Sequence, residues 1–502
     1  MLKRIRTTIA IVFFVLITLL FLDFTGTLHR YAGWLADIQF LPAVLALHVG
    51  IIVGLVALTL LFGRIYCSVI CPLGVFQDII TRKAKWLTKR KKFSYSPALT
   101  WLRWTVLALF ILSLAFGVSA VVSLLAPYGA YGRIASSIFA PIYDWGNNFF
   151  AYLAERANSY AFYRTDVRLQ IALIPGLIVA ATLVALLVLA WRNGRTYCNT
   201  VCPVGTVLGF LSRFSLFKVR IDAEKCTKCN ACSRVCKASC MDIKNQQIDY
   251  SRCVACYDCL DKCKFDSLTY GLPKKSAPAP AAAAYTGEKD GAPSARRQFF
   301  SLTALLASTA LLKAQETKRR DGGFAPIAER VEPERGTPLT PPGSRSARNL
   351  KTRCVSCQLC VSACPSRVLA PNTSLSDFMQ PSMSYERGYC RPECTECSAV
   401  CPTEAITKLT KEEKSSVQIG HAVWVRERCI VESKKQSCGN CSRHCPTSAI
   451  KMVPIDPSNR RSLQIPAVDE NRCIGCGACE YVCPSRPLSA IYVVGHEEHK
   501  SI

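Results

Sequence analysis

The sequence predicts an α-helical membrane domain of four spans, with a fifth possible, followed by two small α+β domains built around cysteine quartets. Three observations predict this organisation. The chain has 502 residues, is 50% hydrophobic and gathers its apolar residues in long runs. It carries 29 cysteines, far above ordinary usage, and many of the basic residues behind its net charge of +27 flank the apolar runs. A single compact soluble domain is excluded.

Four apolar runs lie at about residues 7–24, 39–62, 101–126 and 168–191. Each is close to the ~20 residues that a helix needs to cross a bilayer. The alternative, buried core helices of a soluble protein, favours shorter and amphipathic stripes, whereas these runs are apolar all round. The sequence therefore predicts four spanning helices within residues 1–215.

The orientation of these spans follows from the basic residues, which are frequent on the cytoplasmic side of membrane proteins. They cluster before the first run and between the second and third runs, at Lys3, Arg4, Arg6, Arg64, Arg82, Lys83, Lys85, Lys89, Arg90, Lys91 and Lys92. The connections 25–38 and 127–167 carry few of them. We expect the N-terminus, the 63–100 loop and the chain after residue 192 to be cytoplasmic. The positive charge then needs no nucleic-acid partner to explain it.

A motif of the form G-R-x-Y-C-x3-C-P-x-G occurs at residues 63–74 and again at 194–205. Its thiols belong to Cys67, Cys71, Cys198 and Cys202. A spacing of four places both thiols of one copy on one face if the segment is helical. Two facing pairs could bind one further cluster or another metal, or cycle as dithiols; the alternative is packing of small residues between helices. The recurrence of the other residues favours a redox or metal role.

Residues 216–272 contain C-x2-C-x2-C-x3-C twice, the spacing of bacterial two-cluster ferredoxins, in which three thiolates of one run and the fourth of the other hold each 4Fe-4S cluster. We assign Cys226, Cys229, Cys232 and Cys263 to one cluster, and Cys253, Cys256, Cys259 and Cys236 to the other. The usual proline after the fourth cysteine is replaced by Lys237 and Lys264. This change keeps every ligand, and a nearby cation could raise a cluster's reduction potential.

Four more quartets lie within residues 350–495, and a proline follows the last cysteine of each. They are Cys354, Cys357, Cys360, Cys364; Cys390, Cys394, Cys397, Cys401; Cys429, Cys438, Cys441, Cys445; and Cys473, Cys476, Cys479, Cys483. Zinc is the alternative, but zinc sites usually separate two Cys pairs by a longer stretch. The sequence predicts a second bacterial-ferredoxin-like domain, and six 4Fe-4S clusters in all. Only Cys240 remains, expected as a spare thiol or a non-ligand beside the first cluster.

Between the two cysteine-rich domains, residues 273–295 form a Pro/Ala-rich linker and residues 315–349 a second linker. Residues 296–314 begin with Arg296-Arg297 and two phenylalanines and continue into a weakly apolar stretch. This pattern predicts a twin-arginine export signal or an anchor helix; the alternative is a chance arginine pair before an amphipathic helix. Export after folding suits a domain that is loaded with clusters in the cytoplasm.

These motifs resemble two protein families. Residues 1 to about 272 resemble the NapH family of membrane quinol dehydrogenase subunits, and residues from about 294 onward resemble the twin-arginine-exported four-cluster NapG ferredoxins. The resemblance implies a fusion of the two in a bacterial inner membrane, with the C-terminal domain periplasmic. It implies quinol oxidation and electron transfer through the clusters to a separate periplasmic reductase or carrier. It also implies a pairing of the four quartets within residues 350–495. In that pairing the first quartet shares ligands with the fourth, and the second shares them with the third.

A quinone site needs an ionisable or hydrogen-bonding group, and such a residue within a span is a functional candidate. His48 lies within the second apolar run, and His29 lies at the outer edge of the first loop. The alternatives are a histidine hydrogen-bonded between helices for His48 and a solvated loop histidine for His29.

Two further functions stay open at this point: transfer from a cytoplasmic ferredoxin to the quinone pool, and a membrane thiol or cluster redox sensor or maturation factor. For the quinol-oxidising function we expect an electron-transfer subunit rather than a complete enzyme. No molybdopterin, haem or copper motif is present in the sequence, so its terminal reductase is expected to be another polypeptide.

Overall fold

The computed structural model describes residues 1–23, 26–88, 93–159, 162–165, 167, 173–272, 320–321, 325–326, 330–374, 376–459 and 462–502. The linker 273–295 and the twin-arginine segment 296–314 lie outside the described residues. The chain divides into a large unit, Met1–Pro273 with Glu332–Ile502, and a small one, Lys274–Val331. In the small unit, β5 (Arg320–Asp321) pairs antiparallel with β6 (Ala325–Pro326).

The first 211 residues form a helical bundle. Its helices are α1 (Leu2–Leu22), α2 (Thr27–Ala32), α3 (Trp34–Asp37), α4 (Phe40–Leu45), α5 (Val49–Phe62), α6 (Ile65–Val69), α7 (Pro72–Thr88), α8 (Thr100–Ala115), α9 (Ser119–Leu125), α10 (Pro127–Ile134), α11 (Ala140–Arg156), α12 (Leu173–Asn193), α13 (Thr196–Thr200) and α14 (Pro203–Leu211). A π-helical turn, Ala135–Phe139, joins α10 to α11.

Two of these helices, α1 and α12, are long and apolar enough to cross a membrane. Their exposed apolar side chains suit contact with lipid. The second and third apolar runs differ from the expected continuous helices. The second is divided between α4 and α5, where Leu47 has a φ of 57°, and the third between α8 and α9, where Gly117 has a φ of 70°. A left-handed residue ends the helical hydrogen bonding, and hydropathy does not register this.

The segments expected as loops contain folded helices. The 63–100 segment holds α6 and α7, and the buried face of α7 includes Leu73, Gln77 and Asp78. The 127–167 segment holds α10, in which every residue is buried. The two copies of the repeated motif fold alike: a glycine with φ near +75°, Gly63 or Gly194, precedes a five-residue helix and then a longer helix that begins at proline.

The cysteine-rich parts form three cluster units, which we define as the first (residues 218–271), the second (residues 347–407) and the third (residues 417–501). Each contains two quartets joined by an antiparallel hairpin. The hairpins are β2 (Met241–Asp242) with β3 (Gln247–Ile248), β7 (Leu369–Pro371) with β8 (Pro381–Met383), and β10 (Ile450–Pro454) with β11 (Gln464–Val468).

Longer strand pairs enclose the first and third units. They are β1 (Lys218–Ile221) with β4 (Leu268–Gly271), and β9 (Val417–Trp424) with β12 (Ile491–Ser501). Short helices lie within the quartets at Ala231–Val235, Leu359–Ala363, Glu396–Ala399, Ile430–Ser433, Asn440–Arg443 and Ala478–Val482, and two more lie at Ala347–Arg353 and Lys411–Ser416. Single 3₁₀ turns lie at Ser212–Phe214, Leu260–Lys262, Arg426–Arg428 and Glu470–Arg472.

Candidate iron–sulfur sites

In the first cluster unit, the hairpin folds the second quartet back onto the first. The Cys236 thiol thereby lies close enough to Cys253, Cys256 and Cys259 for their charges to interact. The thiols of Cys226 and Cys229 similarly neighbour Cys232. Cys236 therefore joins the three cysteines of the second run, as the bacterial ferredoxin spacing predicts.

Cys240, the cysteine that the quartets leave unassigned, lies beside two of the candidate ligands. Its side chain is 2% exposed, and its Sγ is 3.5 Å from the Sγ of Cys236. It also contacts Cys253. It therefore lies beside two thiols that the sequence assigns to the cluster of Cys253, Cys256, Cys259 and Cys236.

In the second and third units, three cysteines of one quartet lie together with one cysteine of the other quartet of the same unit. One cavity is lined by Cys364 together with Cys390, Cys394 and Cys397. Another is lined by Cys429, Cys438 and Cys441 together with Cys483. These cavities differ from the first-with-fourth pairing that the family resemblance implied. The reason is the hairpin within each unit, which reverses the chain between consecutive quartets.

The remaining cysteines follow the same rule. Cys401 neighbours Cys354, Cys357 and Cys360, and Cys445 neighbours Cys473 and Cys476.

The cysteine loops have a backbone suited to ligating a cluster. In four quartets the residues two and four places after the first cysteine have positive φ, at Lys228, Asn230, Ala255, Tyr257, Ser356, Gln358, Gly475 and Gly477. Within this winding, the backbone N–H of Ser356 donates to the Cys354 Sγ at 3.4 Å. Backbone groups after the fourth cysteine donate as well. Ala449 donates to the Cys445 Sγ at 3.2 Å, and Ala490 donates to the Cys483 Sγ at 3.3 Å. Such bonds stabilise thiolates, so these residues fit 4Fe-4S clusters.

Burial opposes ionisation of some of these thiols in the absence of a bound cluster. It raises the pKa of the Cys232 thiol to about 11 and that of Cys441 to about 11. Among the described residues, no three Cys, His, Asp or Glu side chains converge closely enough to hold a single metal ion.

The pairing has a direct test. Serine at both Cys354 and Cys401 should remove one cluster, about four iron atoms, because both thiols serve the same cubane. Serine at both Cys364 and Cys401 should remove two clusters, about eight iron atoms. Iron and sulfide analysis of the two purified variants measures the difference. Equal losses from both variants would contradict the pairing.

The two copies of the repeated motif bring their four cysteines together inside the bundle. The side chains of Cys67, Cys71, Cys198 and Cys202 are 4–6% exposed. A thiolate at Cys71 would be repelled by charges on Cys198 and Cys67, and one at Cys202 by charges on Cys198 and Cys71. We call these four residues the bundle thiols.

The histidines singled out from the sequence lie at the end of the bundle that contacts the second cluster unit. His48 lies at the break before α5, and its Nε2 is 3.1 Å from Glu404 Oε1. His29 is buried rather than solvated: its side chain is 8% exposed, and Nδ1 lies 3.5 Å from Asp23 Oδ2. Asp23 holds the loop before α2 by accepting hydrogen bonds from the backbone of Gly26 and Leu28.

The first cluster unit is fixed to the bundle by a buried charge network that the sequence analysis did not single out. Asp78, on α7, contacts Arg195 Nε at 2.7 Å, Lys237 Nζ at 2.7 Å and Arg6 Nη1 at 3.2 Å. Lys237 also reaches Asp258 at 3.2 Å. Burial alone would raise the pKa of Asp258, but the Lys237 ammonium holds it below its usual range. The lysine that replaces the expected proline thus fixes the unit to the bundle, and acids neutralise its charge.

The second cluster unit shares one hydrophobic core with the bundle, including Phe21, Tyr128, Val355 and Leu359. Helix α10 approaches the first quartet of the second cluster unit without intervening side chains. A Cβ on Gly129 would lie 2.2 Å from the carbonyl oxygen of Val355, and one on Gly132 would lie 2.3 Å from that of Cys357. Ser123 and Ser356 hydroxyls are 2.6 Å apart. Both glycines are required for this contact, and conventional motifs do not reveal them.

The comparisons with known proteins support an iron–sulfur assignment. A 4Fe-4S binding domain model matches residues 45–94 and 174–222, and a 4Fe-4S dicluster domain model matches residues 435–486. The first model covers both copies of the repeated motif. The second covers most of the third cluster unit.

Curated relatives agree with this assignment. The methylamine utilization ferredoxin-type protein MauM of Methylobacillus flagellatus is 34% identical over 32% of this chain and 70% of its own length. The putative electron transport protein YccM of Escherichia coli is 26% identical over 47% of this chain and 59% of its own. The ferredoxin-type protein NapG of Escherichia coli is 26% identical over 34% of this chain and 78% of its own. No solved structure matches. The chain therefore belongs to the family of MauM-like ferredoxin-type proteins and is an iron–sulfur electron-transfer protein.

Proposed function

We propose that this protein is a membrane-bound relay that oxidises quinol and passes electrons through 4Fe-4S clusters to a separate periplasmic reductase or carrier. The observation that carries the proposal is the order of the candidate sites. The first and second cluster units contact opposite ends of α1, and the third unit follows the second. Each cluster supplies a one-electron carrier when bound.

The contacts at the two ends of α1 are specific. Near its start, Lys3 Nζ lies 3.0 Å from Asp261 Oδ2 of the first cluster unit. Near its end, Phe21 and the Cys357 carbonyl lie against the same glycine, Gly132. A helix of 21 residues is about 30 Å long, close to the thickness of a bilayer's hydrocarbon core. The two units would then lie on opposite sides of a membrane.

Sidedness follows from the charges and the export signal expected from the sequence. The basic N-terminus lies beside the first cluster unit, so the positive-inside rule places that unit in the cytoplasm. The second and third units would then be periplasmic, as the twin-arginine pattern at residues 296–314 predicts. α1 and α12 are consistent with membrane association.

The second and third cluster units are joined at their ligands. The backbone N–H of Cys390 donates to the carbonyl of Cys476 at 2.9 Å. The Tyr385 hydroxyl donates to the Gly475 carbonyl at 2.6 Å. A cluster bound by each unit would therefore lie at this junction, and the other clusters would extend the array in both directions.

A quinol that binds at the periplasmic end of the bundle would meet proton acceptors there. His29 is paired with Asp23, and its Nε2 has no hydrogen-bond partner within the described part of the chain. A second group of ionisable residues surrounds Asp37, which interacts with the charges of Lys408, His48 and Glu404. Oxidation of quinol releases two protons and two electrons, so acceptors beside the second cluster unit suit this chemistry. We assign His29 and His48 as candidate quinone-site residues.

Anaerobic mixing of the purified full chain with a soluble quinol analogue tests the function. We expect the visible iron–sulfur absorbance to bleach, with dithionite defining complete reduction. Clusters that dithionite reduces but quinol leaves oxidised would contradict quinol oxidation and favour transfer in the opposite direction.

The pH dependence of quinol oxidation should report on His29. Burial lowers the pKa of His29 below 6.5, although the Asp23 and Glu396 carboxylates oppose this shift. The neutral imidazole, which can accept a proton, is present above that lowered pKa and is lost as the pH falls through it. The rate should therefore stay level down to pH 6.5 and fall below it.

Replacing His29 with glutamine should lower the rate and abolish this acidic limb. His444→Gln, an exposed substitution in the third cluster unit, should change neither. An acidic limb that survives in the His29 variant would assign the titration to another group.

A further inference from the structure

The bundle thiols lie between the first and second cluster units. On one side, the Arg64 Nη1 donates to the carbonyl of Ser251 at 3.0 Å, two residues before Cys253. The backbone N–H of Arg195 donates to the carbonyl of Lys237, next to Cys236, at 2.9 Å. The first cluster unit therefore touches both copies of the repeated motif directly.

On the other side, Tyr197 and Arg133 connect the bundle thiols to the second cluster unit. Tyr197 belongs to the second copy of the motif, and its hydroxyl donates to the Leu125 carbonyl at 3.1 Å, just before α10. Arg133, on α10, is 1% exposed and interacts with both Tyr197 and Cys357. The bundle thiols thus occupy the gap in an otherwise continuous line of candidate clusters.

The surroundings of the bundle thiols stabilise negative charge. Cys202 is the N-cap of α14, and its Sγ accepts a hydrogen bond from the backbone of Gly205 at 3.3 Å. Cys71 precedes the first residue of α7 and accepts the equivalent bond from Gly74. Two helix N-termini therefore point at the thiols, an arrangement that favours thiolates.

Two buried arginines add positive charge in a reciprocal arrangement. Arg64, in the first copy, donates to the carbonyl of Cys198 at 3.1 Å and lies 3.8 Å from the Cys67 Sγ. Arg195, in the second copy, donates to the carbonyl of Cys67 at 2.6 Å. Both are 0% exposed. Arg195 pairs with Asp78, whereas the hydrogen bonds of Arg64 go to neutral oxygens and the Cys67 sulfur. Burying this charge is costly unless anionic sulfur lies beside it.

Two glycines leave room for each arginine to reach into the other copy of the motif. A Cβ on Gly74 would lie 2.7 Å from Arg195 Nη1, and one on Gly205 would lie 2.9 Å from Arg64 Nη2. The recurring glycine in each copy therefore admits the arginine of the other copy. This reciprocity makes one shared site of two motifs.

We propose that Cys67, Cys71, Cys198 and Cys202 together bind one iron–sulfur centre, a seventh in this chain. The four cysteines form no disulfide, so all four thiols can serve as ligands. Two-iron and four-iron centres both take four cysteine ligands. The centre would accept one electron from a reduced cluster on one side and pass it to an oxidised cluster on the other. Its relay role rests on the proposed function, but its presence does not.

Iron and sulfide analysis of the purified full chain tests the proposal. The double variant Cys67→Ser/Cys198→Ser should contain about two or four fewer iron atoms than the wild type, for a two-iron or a four-iron centre respectively, while about 24 remain in the six ferredoxin-type clusters. A Mössbauer or EPR component present in the wild type should vanish from the variant. Cys240→Ser, the one substitution that removes an unassigned cysteine, should retain the full iron content.

Equal iron contents in the wild type and the double variant would overturn the proposal. So would zinc at one atom per chain that is lost with the same substitution. Retention of about 24 iron atoms by the variant separates loss of this centre from misfolding. A seventh centre in a protein that quinol does not reduce would leave the site established and reject only the quinol assignment.

Discussion

Asp78→Asn should detach the first cluster unit from the bundle and strongly destabilise the protein. The substitution leaves Arg6, Arg195 and Lys237 buried beside a neutral amide. Their side chains are 3%, 0% and 4% exposed, so water cannot replace the lost carboxylate. Breaking a buried ion pair by removing one partner typically costs about 3–5 kcal/mol.

Protease sensitivity of residues 216–272 and the thermal midpoint of the full chain measure this effect. Asp261→Asn is the matched control, because Asp261 also pairs with a bundle cation, Lys3, but its side chain is 44% exposed. An exposed pair contributes ~0.5 kcal/mol, so this variant should behave like the wild type. Similar behaviour of the two variants would show that the buried network does not hold the unit.

The cysteine spacing predicted the local structure of the ferredoxin-type sites well, because a ligand loop is determined by the few residues within it. C-x2-C-x2-C-x3-C requires tight turns, and the positive φ angles at Lys228 and Asn230 are such turns. The repeated motif likewise predicted two equivalent segments. Which quartets share ligands depends instead on hairpins such as β7–β8. The strands of this hairpin are only three residues long.

Packing between residues that are distant in sequence could not be predicted, for a different reason. Hydropathy averages composition over a window, so it detected the runs that contain α1 and α12 but not the breaks at Leu47 and Gly117. Asp78 stands in a basic segment and has the appearance of a solvated residue. Its role depends on Arg195 and Lys237, which are distant in sequence. Nothing local distinguishes such an acid from an exposed one.

Helix α10 provides the second large prediction. Gly132→Ala should weaken the contact between the bundle and the second cluster unit, because the new Cβ would lie 2.3 Å from the Cys357 carbonyl oxygen and 2.9 Å from the Phe21 ring. Both neighbours belong to packed elements, so one element must move. Overpacking of this kind costs about 1–3 kcal/mol. Gly129→Ala meets the Val355 carbonyl oxygen at 2.2 Å and should act in the same way.

Gly146→Ala is the matched control, since it introduces the same methyl group into α11 with nothing within 4 Å of it. Alanine favours a helix over glycine by about 1 kcal/mol, so this variant should be as stable as the wild type or more so.

Hydrogen exchange should increase at residues 127–134 and 354–360 in the α10 variants only. Iron content should stay constant, while quinol reduces the clusters of the second and third units more slowly, because electron transfer weakens as its centres separate. Unchanged exchange in Gly132→Ala would mean that this close approach of helix and ligand loop is not maintained in solution, and the route through α10 would be rejected.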